Sequence, residues 1–169
     1  TIAGSFVWNS GSLVGPGTLK INSGATGLLT TASYRYFNTG AVLNNHGTLT
    51  WDNGYIYWQG GTPSIVNSGT WNINTAGYGI YYSSGYGKIE NSGTITKTGA
   101  SITYIQYLTT STNTGTINVD GGELQFAYSA LTNTGNIDLG GGTFNSSTGS
   151  VFDYNTGSSI TGTGTFANG

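Results

Sequence analysis

The chain has 169 residues, of which 30 are glycine, 13% aromatic and only 6% charged; its net charge is −2 and it holds no cysteine. Its four basic residues are too few to neutralise a phosphate backbone or an anionic membrane surface, so nucleic-acid and electrostatic membrane binding are excluded. Absence of cysteine removes disulfides, thiolate metal sites and cysteine nucleophiles, and no apolar run approaches the roughly 20 residues of a spanning helix.

Aromatic and β-branched residues are too frequent and too regularly placed for a disordered chain, and the length suits one domain, residues 1–169. The N-terminus lacks the basic start and apolar stretch of a signal peptide, so a mature form or an excised segment is expected. Residues 22–44, which contain "SYRYFNTG", do not keep the spacing of the remaining chain. They are expected to form an irregular first rung or a projecting loop.

From Asn45 onward an Asn-x-Gly phrase returns. Its glycines are Gly47, Gly69, Gly93, Gly115, Gly135 and Gly157, spaced by 22, 24, 22, 20 and 22; Gly17 precedes Gly47 by 30. Apolar residues alternate with polar ones at fixed offsets from this marker, the period of a half-buried strand. Two and four positions after it stand Leu49 and Trp51, Trp71 and Ile73, Ile117 and Val119, Ile137 and Leu139. A second inward strand is expected from Ile56 and Trp58, Ile80 and Tyr82, Ile102 and Tyr104, Leu124 and Phe126; a third from Leu43, Ile65, Ile89 and Leu131. Lys97 falls on an inward offset, so its stem is expected to snorkel out at the strand end or the strand to stop short there.

No stretch offers ten residues of helical spacing. Three inward strands per unit of about 22 residues define an all-β fold, a parallel β-helix (β-solenoid) of six to seven rungs, right-handed by the crossover rule. At one corner Asn45, Asn67, Asn91, Asn113, Asn133 and Asn155 recur. Left-handed backbone is expected there, eased by the following glycine, with the amides stacked in a ladder.

The phrases "SFVWNSGSLVGPGTLKINSGATGLL", the recurrent "NSGT" and "NTGT", and "ITGTGTFANG" resemble the repetitive right-handed β-helices of large bacterial surface and secreted proteins, filamentous-haemagglutinin-like or autotransporter-passenger-like adhesins. The resemblance implies an extracellular, non-catalytic, adhesive or architectural role. Absent cysteine and methionine and a Ser/Thr/Asn-rich surface suit the same location.

Enzymes on such coils need clustered carboxylates, whereas Asp52, Glu90, Asp120, Glu123, Asp138 and Asp153 are scattered over rungs and corners. His46 is the only histidine, and no serine and acid converge on it by spacing. No catalytic residue, metal ligand or cofactor is expected. Binding belongs to outward positions: Tyr55, Tyr57 and Tyr81, with Thr103, Gln125 and Asn145 further along, form a candidate glycan-contact face, the alternative being rung-to-rung stacking alone. A column of Thr18, Thr48, Thr70, Thr94 and Thr116 raises a third reading, an ice-binding surface. The terminal strands carry no amphipathic cap, and "ITGTGTF" echoes "LVGPGTL", so end-to-end self-association is expected beside any glycan or cell-surface ligand.

Overall fold

The computed structural model describes residues 1–169 and contains strands and turns but no helix. The first rung comprises β1 (Ser5–Val7), β2 (Gly11–Val14) and β3 (Thr18–Ile21); the second β4 (Thr26–Leu29), β5 (Tyr34–Asn38) and β6 (Val42–Asn45); the third β7 (Thr48–Trp51), β8 (Tyr55–Gln59) and β9 (Ser64–Asn67). The fourth consists of β10 (Thr70–Ile73), β11 (Gly79–Tyr82) and β12 (Lys88–Asn91), the fifth of β13 (Thr94–Lys97), β14 (Ile102–Gln106) and β15 (Thr110–Asn113). The sixth rung holds β16 (Thr116–Val119), β17 (Glu123–Ala127) and β18 (Ala130–Asn133), the seventh β19 (Asn136–Leu139), β20 (Thr143–Ser146) and β21 (Val151–Tyr154). β22 (Ser159–Gly162) and β23 (Thr165–Asn168) complete the chain.

Every third strand pairs in parallel with its predecessor, giving sheets of eight, eight and seven strands around about seven turns. Alternation in each four- or five-residue strand sends one set of side chains to the axis, where Trp51, Trp58, Trp71, Phe37 and Phe144 are fully buried among Ile, Leu and Val. Each such side chain contributes about 1.5–3 kcal/mol by leaving water. The apolar columns keep their order from rung to rung, as in Phe126–Phe144–Phe166, whose ring centroids lie 5.3 and 5.7 Å apart.

Residues 22–44 are neither a projecting loop nor a widened rung: β4, β5 and β6 pair in register with β7, β8 and β9. The misleading marker is Gly17. Thr18 faces Val42 in the third sheet, so it is not part of the threonine column. That column begins instead at Ser5 and Thr26 and runs through Thr48, Thr70, Thr94 and Thr116. Two further strands differ from expectation, β14 in phase and β11 in the exposure of its last residue. In β14 the buried residues are Thr103 and Ile105, opposite Leu124 and Phe126, while Ile102 and Tyr104 turn outward; the Thr103 hydroxyl meets that of Thr75 at 2.8 Å. In β11 Tyr82 opposes Trp58 yet is 44% exposed. The Trp58 indole occupies the interior up to Gly87, where a Cβ would come within 2.1 Å of the ring.

Five asparagines form the ladder. Asn45 Nδ2 donates to Asn67 Oδ1, Asn67 to Asn91, Asn91 to Asn113 and Asn113 to Asn133, at 2.6–2.7 Å, and all five are buried. Asn155 is not in it. Tyr154 takes the ladder position opposite Asn133, and exposed Asn155 begins a four-residue corner closed by Ser158 N donating to Asn155 O at 3.0 Å. The second rung starts the same way, with Ile21 opposite Asn45 and Ala25 N donating to Asn22 O at 3.0 Å.

The ladder corner has no left-handed residue; positive φ occurs instead at Gly24 (80°) and Gly157 (92°) in the two longer corners. Glycine at the ladder corner answers a different need, the approach of one rung to the next. A Cβ on Gly69 would lie 2.2 Å from Gly47 O, and on Gly93, Gly115 or Gly135 2.1 Å from the preceding glycine's carbonyl.

Lys97 neither snorkels nor cuts its strand short. It is fully buried in β13 between Ile73 and Val119, with Nζ donating to the Gly99 carbonyl. Burial lowers its pKa from 10.5 to about 8. Between those values the unfolded chain binds a proton that the folded chain does not, so stability rises with pH across that window. In calorimetry the wild-type melting temperature is expected to climb between about pH 8 and 9.5, and Lys97→Met is expected to lack this climb and to melt no lower than wild type at neutral pH. A wild-type melting temperature that stays flat would remove the buried cation from the account.

Candidate functional site

The second sheet gathers the aromatic surface. Outward positions of β5 and β8 place Tyr34 beside Tyr55 and Tyr36 beside Tyr57, stacked at 5.6 and 5.5 Å with 25° between planes. Tyr57 is in turn opposite Tyr81 of β11. Gly79 is what positions the Tyr81 ring: a Cβ there would lie 2.8 Å from the phenol carbon Cζ. Leaning over that glycine, Tyr81 reaches both Tyr55 at 5.9 Å and Tyr104 of β14 at 6.2 Å. Tyr78 closes edge-on against Tyr55 at 4.9 Å. The structure therefore brings Tyr55, Tyr57 and Tyr81 together, and adds Tyr34, Tyr36, Tyr78 and Tyr104 to them.

A second group stands at the corner leading to the third sheet. Tyr82 lies 5.1 Å from Tyr107 and 5.5 Å from Tyr86, and Tyr107 stacks on Tyr128 at 5.0 Å and 15°. Tyr107 and Tyr128 hold φ of 55° and 51°, a conformation costing a residue with a bulky side chain about 1–3 kcal/mol. Their mutual stacking returns about 0.5–1.5 kcal/mol. Together the two groups hold eleven of the twelve tyrosines; the twelfth, Tyr154, is on β21 and donates its hydroxyl to Ser158 O at 2.9 Å.

Desolvation, then neighbouring phenols, raise the pKa of Tyr57 and Tyr81 above 10.0, which keeps both as neutral hydroxyl donors. Outward amides accompany the rings: Asn38 donates to Gln59 at 3.2 Å, Gln125 to Ser147 at 2.7 Å and Asn145 to Glu123 at 2.8 Å. Thr103, expected among them, faces the core instead.

Elsewhere the titratable groups serve local bonds. His46 Nδ1 meets Ser68 Oγ at 2.8 Å, a serine partner that spacing did not reveal, with no carboxylate bonded to the ring. Asp52 accepts from Asn74 at 2.8 Å and Glu90 pairs with Lys88 at 2.7 Å. The inward cation Arg35, buried beneath the tyrosines, donates to the carbonyls of Trp8, Asn53 and Thr31 at 2.6–3.1 Å.

Residues that sequence reading missed had a signal. "YRYFN" of β5 and "YIYWQ" of β8 align position for position, but the first lies in the stretch expected to be irregular. Nothing in the sequence announced left-handed tyrosines.

The chain is a parallel β-solenoid whose second sheet and adjoining corner bear nearly all its tyrosines. No protein-family model, curated protein or solved structure matches it.

Proposed function

We propose that the chain is a non-catalytic adhesive module of a secreted or surface-displayed protein, working through its tyrosine side. The carrying observation is one-sidedness. Aromatic residues stabilise parallel strands on any outward face, so a purely structural demand would spread them over three sheets. Here the first and third sheets show Thr, Ser, Asn, a few aliphatics and the charged Lys20, Lys88, Glu90, Asp138 and Asp153, while eleven tyrosines share one side. Tyrosine supplies large, rigid, amphipathic contact area at low entropic cost, which is why it dominates recognition surfaces. The phrase-level likeness to filamentous-haemagglutinin-like and autotransporter-passenger-like adhesins agrees with this reading, which carries with it an extracellular location.

Binding of the purified chain to immobilised glycans, glycoproteins and whole cells is the test. Saturable binding to some of these surfaces is expected, weakened at least tenfold by Tyr81→Ser with Tyr104→Ser and unchanged by Thr48→Ala with Thr70→Ala on the first sheet. Equal loss from both pairs, or no binding at all, would sink the proposal.

A second reading, end-to-end association, is favoured by the end rungs. Phe6, Leu13 and Leu19 at one end, and Phe152, Ile160 and Phe166 at the other, pack on the core yet stay partly exposed. A rung of another copy would continue the same apolar columns. Sedimentation of the sample used for binding separates this reading: a species that remains monomeric at high concentration ends it.

A further inference from the structure

The tyrosines differ in what they leave free. In the pairs Tyr34–Tyr55 and Tyr36–Tyr57 each ring covers a face of its neighbour, at 25°. Around β11 and β14 the rings are splayed: Tyr81 and Tyr104 meet at 37°, Tyr82 and Tyr107 at 49°, with one face of Tyr107 taken by Tyr128, stacked at 15°. Splayed rings present oblique faces to solvent, and faces are what the C–H groups of a ligand pack against.

Gln106 stands between these two splayed pairs. It comes two residues after Tyr104 and directly before Tyr107, and the register Ile80↔Ile105 sets it beside Tyr81. Its backbone is anchored, since its carbonyl accepts from Trp58 Nε1 at 3.1 Å. Among the outward amides of the second sheet, Asn38, Gln59, Gln125 and Asn145 are hydrogen-bonded to neighbours; the Gln106 amide has no protein partner and is partly exposed. None of the phenols of either tyrosine group bonds to the protein.

Charge narrows the ligand. The outward residues of β5, β8, β11 and β14 are tyrosines, Asn38, Gln59, Ile102 and Gln106, without one ionised group. Arg35 is buried, Lys88 is tied to Glu90, and the first charge along the sheet is Glu123 of β17, already engaged by Asn145. An anionic partner would find no cation here, and a cationic one no free carboxylate.

We propose that this strip binds a neutral polysaccharide chain, with the Gln106 amide as the central hydrogen-bonding group and Tyr81, Tyr82, Tyr104 and Tyr107 as its walls. A run of sugar rings offers hydroxyls of both hydrogen-bonding senses and apolar C–H faces at short intervals. The free amide and phenols match the first and the splayed rings the second. The raised pKa of Tyr81 keeps its wall neutral over the whole working range. This assignment rests on the adhesive reading above and gives its ligand class.

The test is affinity electrophoresis of the full chain in native gels containing dextran, xyloglucan, galactomannan or mixed-linkage β-glucan, against alginate and polygalacturonate as anionic counterparts. Retardation by at least one neutral polymer and by neither anionic one is expected. Gln106→Leu, matched to wild type in melting temperature, is expected to raise the dissociation constant at least tenfold, with Gln106→Asn recovering part of it. Retardation by the anionic polymers alone overturns the assignment. So does a Gln106→Leu chain that migrates like wild type while Tyr81→Ser with Tyr104→Ser is released, which would leave the adhesive reading standing and move the contact elsewhere. Adhesion to cells or glycoproteins without any retardation likewise removes the polysaccharide and keeps the adhesive surface.

Discussion

Asn91→Leu is expected to lower the stability of the solenoid by about 1–3 kcal/mol, because the buried Asn113 Oδ1 loses its only donor and an orphan of this kind costs about that much, while Asn67 Nδ2 keeps its bonds to Gly69 O and Thr94 O. Asn91 Oδ1 accepts from Asn67 at 2.7 Å, and Asn91 Nδ2 donates to Asn113 at 2.7 Å and to Thr116 O at 3.2 Å. Leucine has similar bulk but neither donates nor accepts. The lesion sits in the fourth of about seven turns, and in a solenoid each rung leans only on its neighbours. Equilibrium urea unfolding should show a lower midpoint, with loss of the single transition where the two halves separate. Asn155→Leu is the control: the residue carries the same Asn-x-Gly phrase but is exposed and off the ladder, so its midpoint stays within about 0.5 kcal/mol of wild type. Equal effects at the two sites would mean that the ladder contributes nothing.

Gly93→Ala is expected to cost at least about 3 kcal/mol, at or above the upper end of ordinary overpacking. The added Cβ would stand 2.1 Å from Gly69 O and 2.7 Å from the Ser68 carbonyl carbon. Both are backbone atoms, so no rotamer change relieves the clash; two rungs have to part, and their ladder bonds with them. Gly17 shares the Gly-Thr dipeptide with Gly93, yet a Cβ there meets nothing within 4 Å. Gly17→Ala should therefore be neutral or slightly stabilising. If Gly93→Ala melts like Gly17→Ala, the close approach of rungs at this corner is wrong.

The same contrast marks how far the fold was legible in the sequence. Interior rungs were legible because Asn-x-Gly, a period-two apolar pattern and a near-constant length all agree from Asn45 to Leu139. The terminal rungs were not, because one three-residue phrase serves two structures. In "NHGT" and "NSGT" the Asn ends a strand and stacks; in "NSGAT" and "NTGSS" it opens a longer turn. The small residue between Gly and the next strand is the distinguishing mark. β14 misled for another reason: "ITYIQ" has plausible apolar phases either way, and only pairing with Leu124 and Phe126 chooses between them. The tyrosine side was half visible, through Tyr55, Tyr57 and Tyr81. Tyr104 was hidden by the phase of β14, and Gln106 and the corner group by turns that the tyrosine side chain itself does not favour.

The asparagine ladder also gives the rod a direction. In every link the lower-numbered residue donates and the higher-numbered accepts, from Asn45 to Asn133, so five amide dipoles point the same way and each polarises the next. Like the peptide dipoles of a helix, they sum along the axis, leaving an oxygen pole at Asn45 and a hydrogen pole at Asn133. A solenoid with unlike poles joins head to tail at lower electrostatic cost than head to head. Any array built from such rods would be a polar one, with all its tyrosine strips read in the same sense.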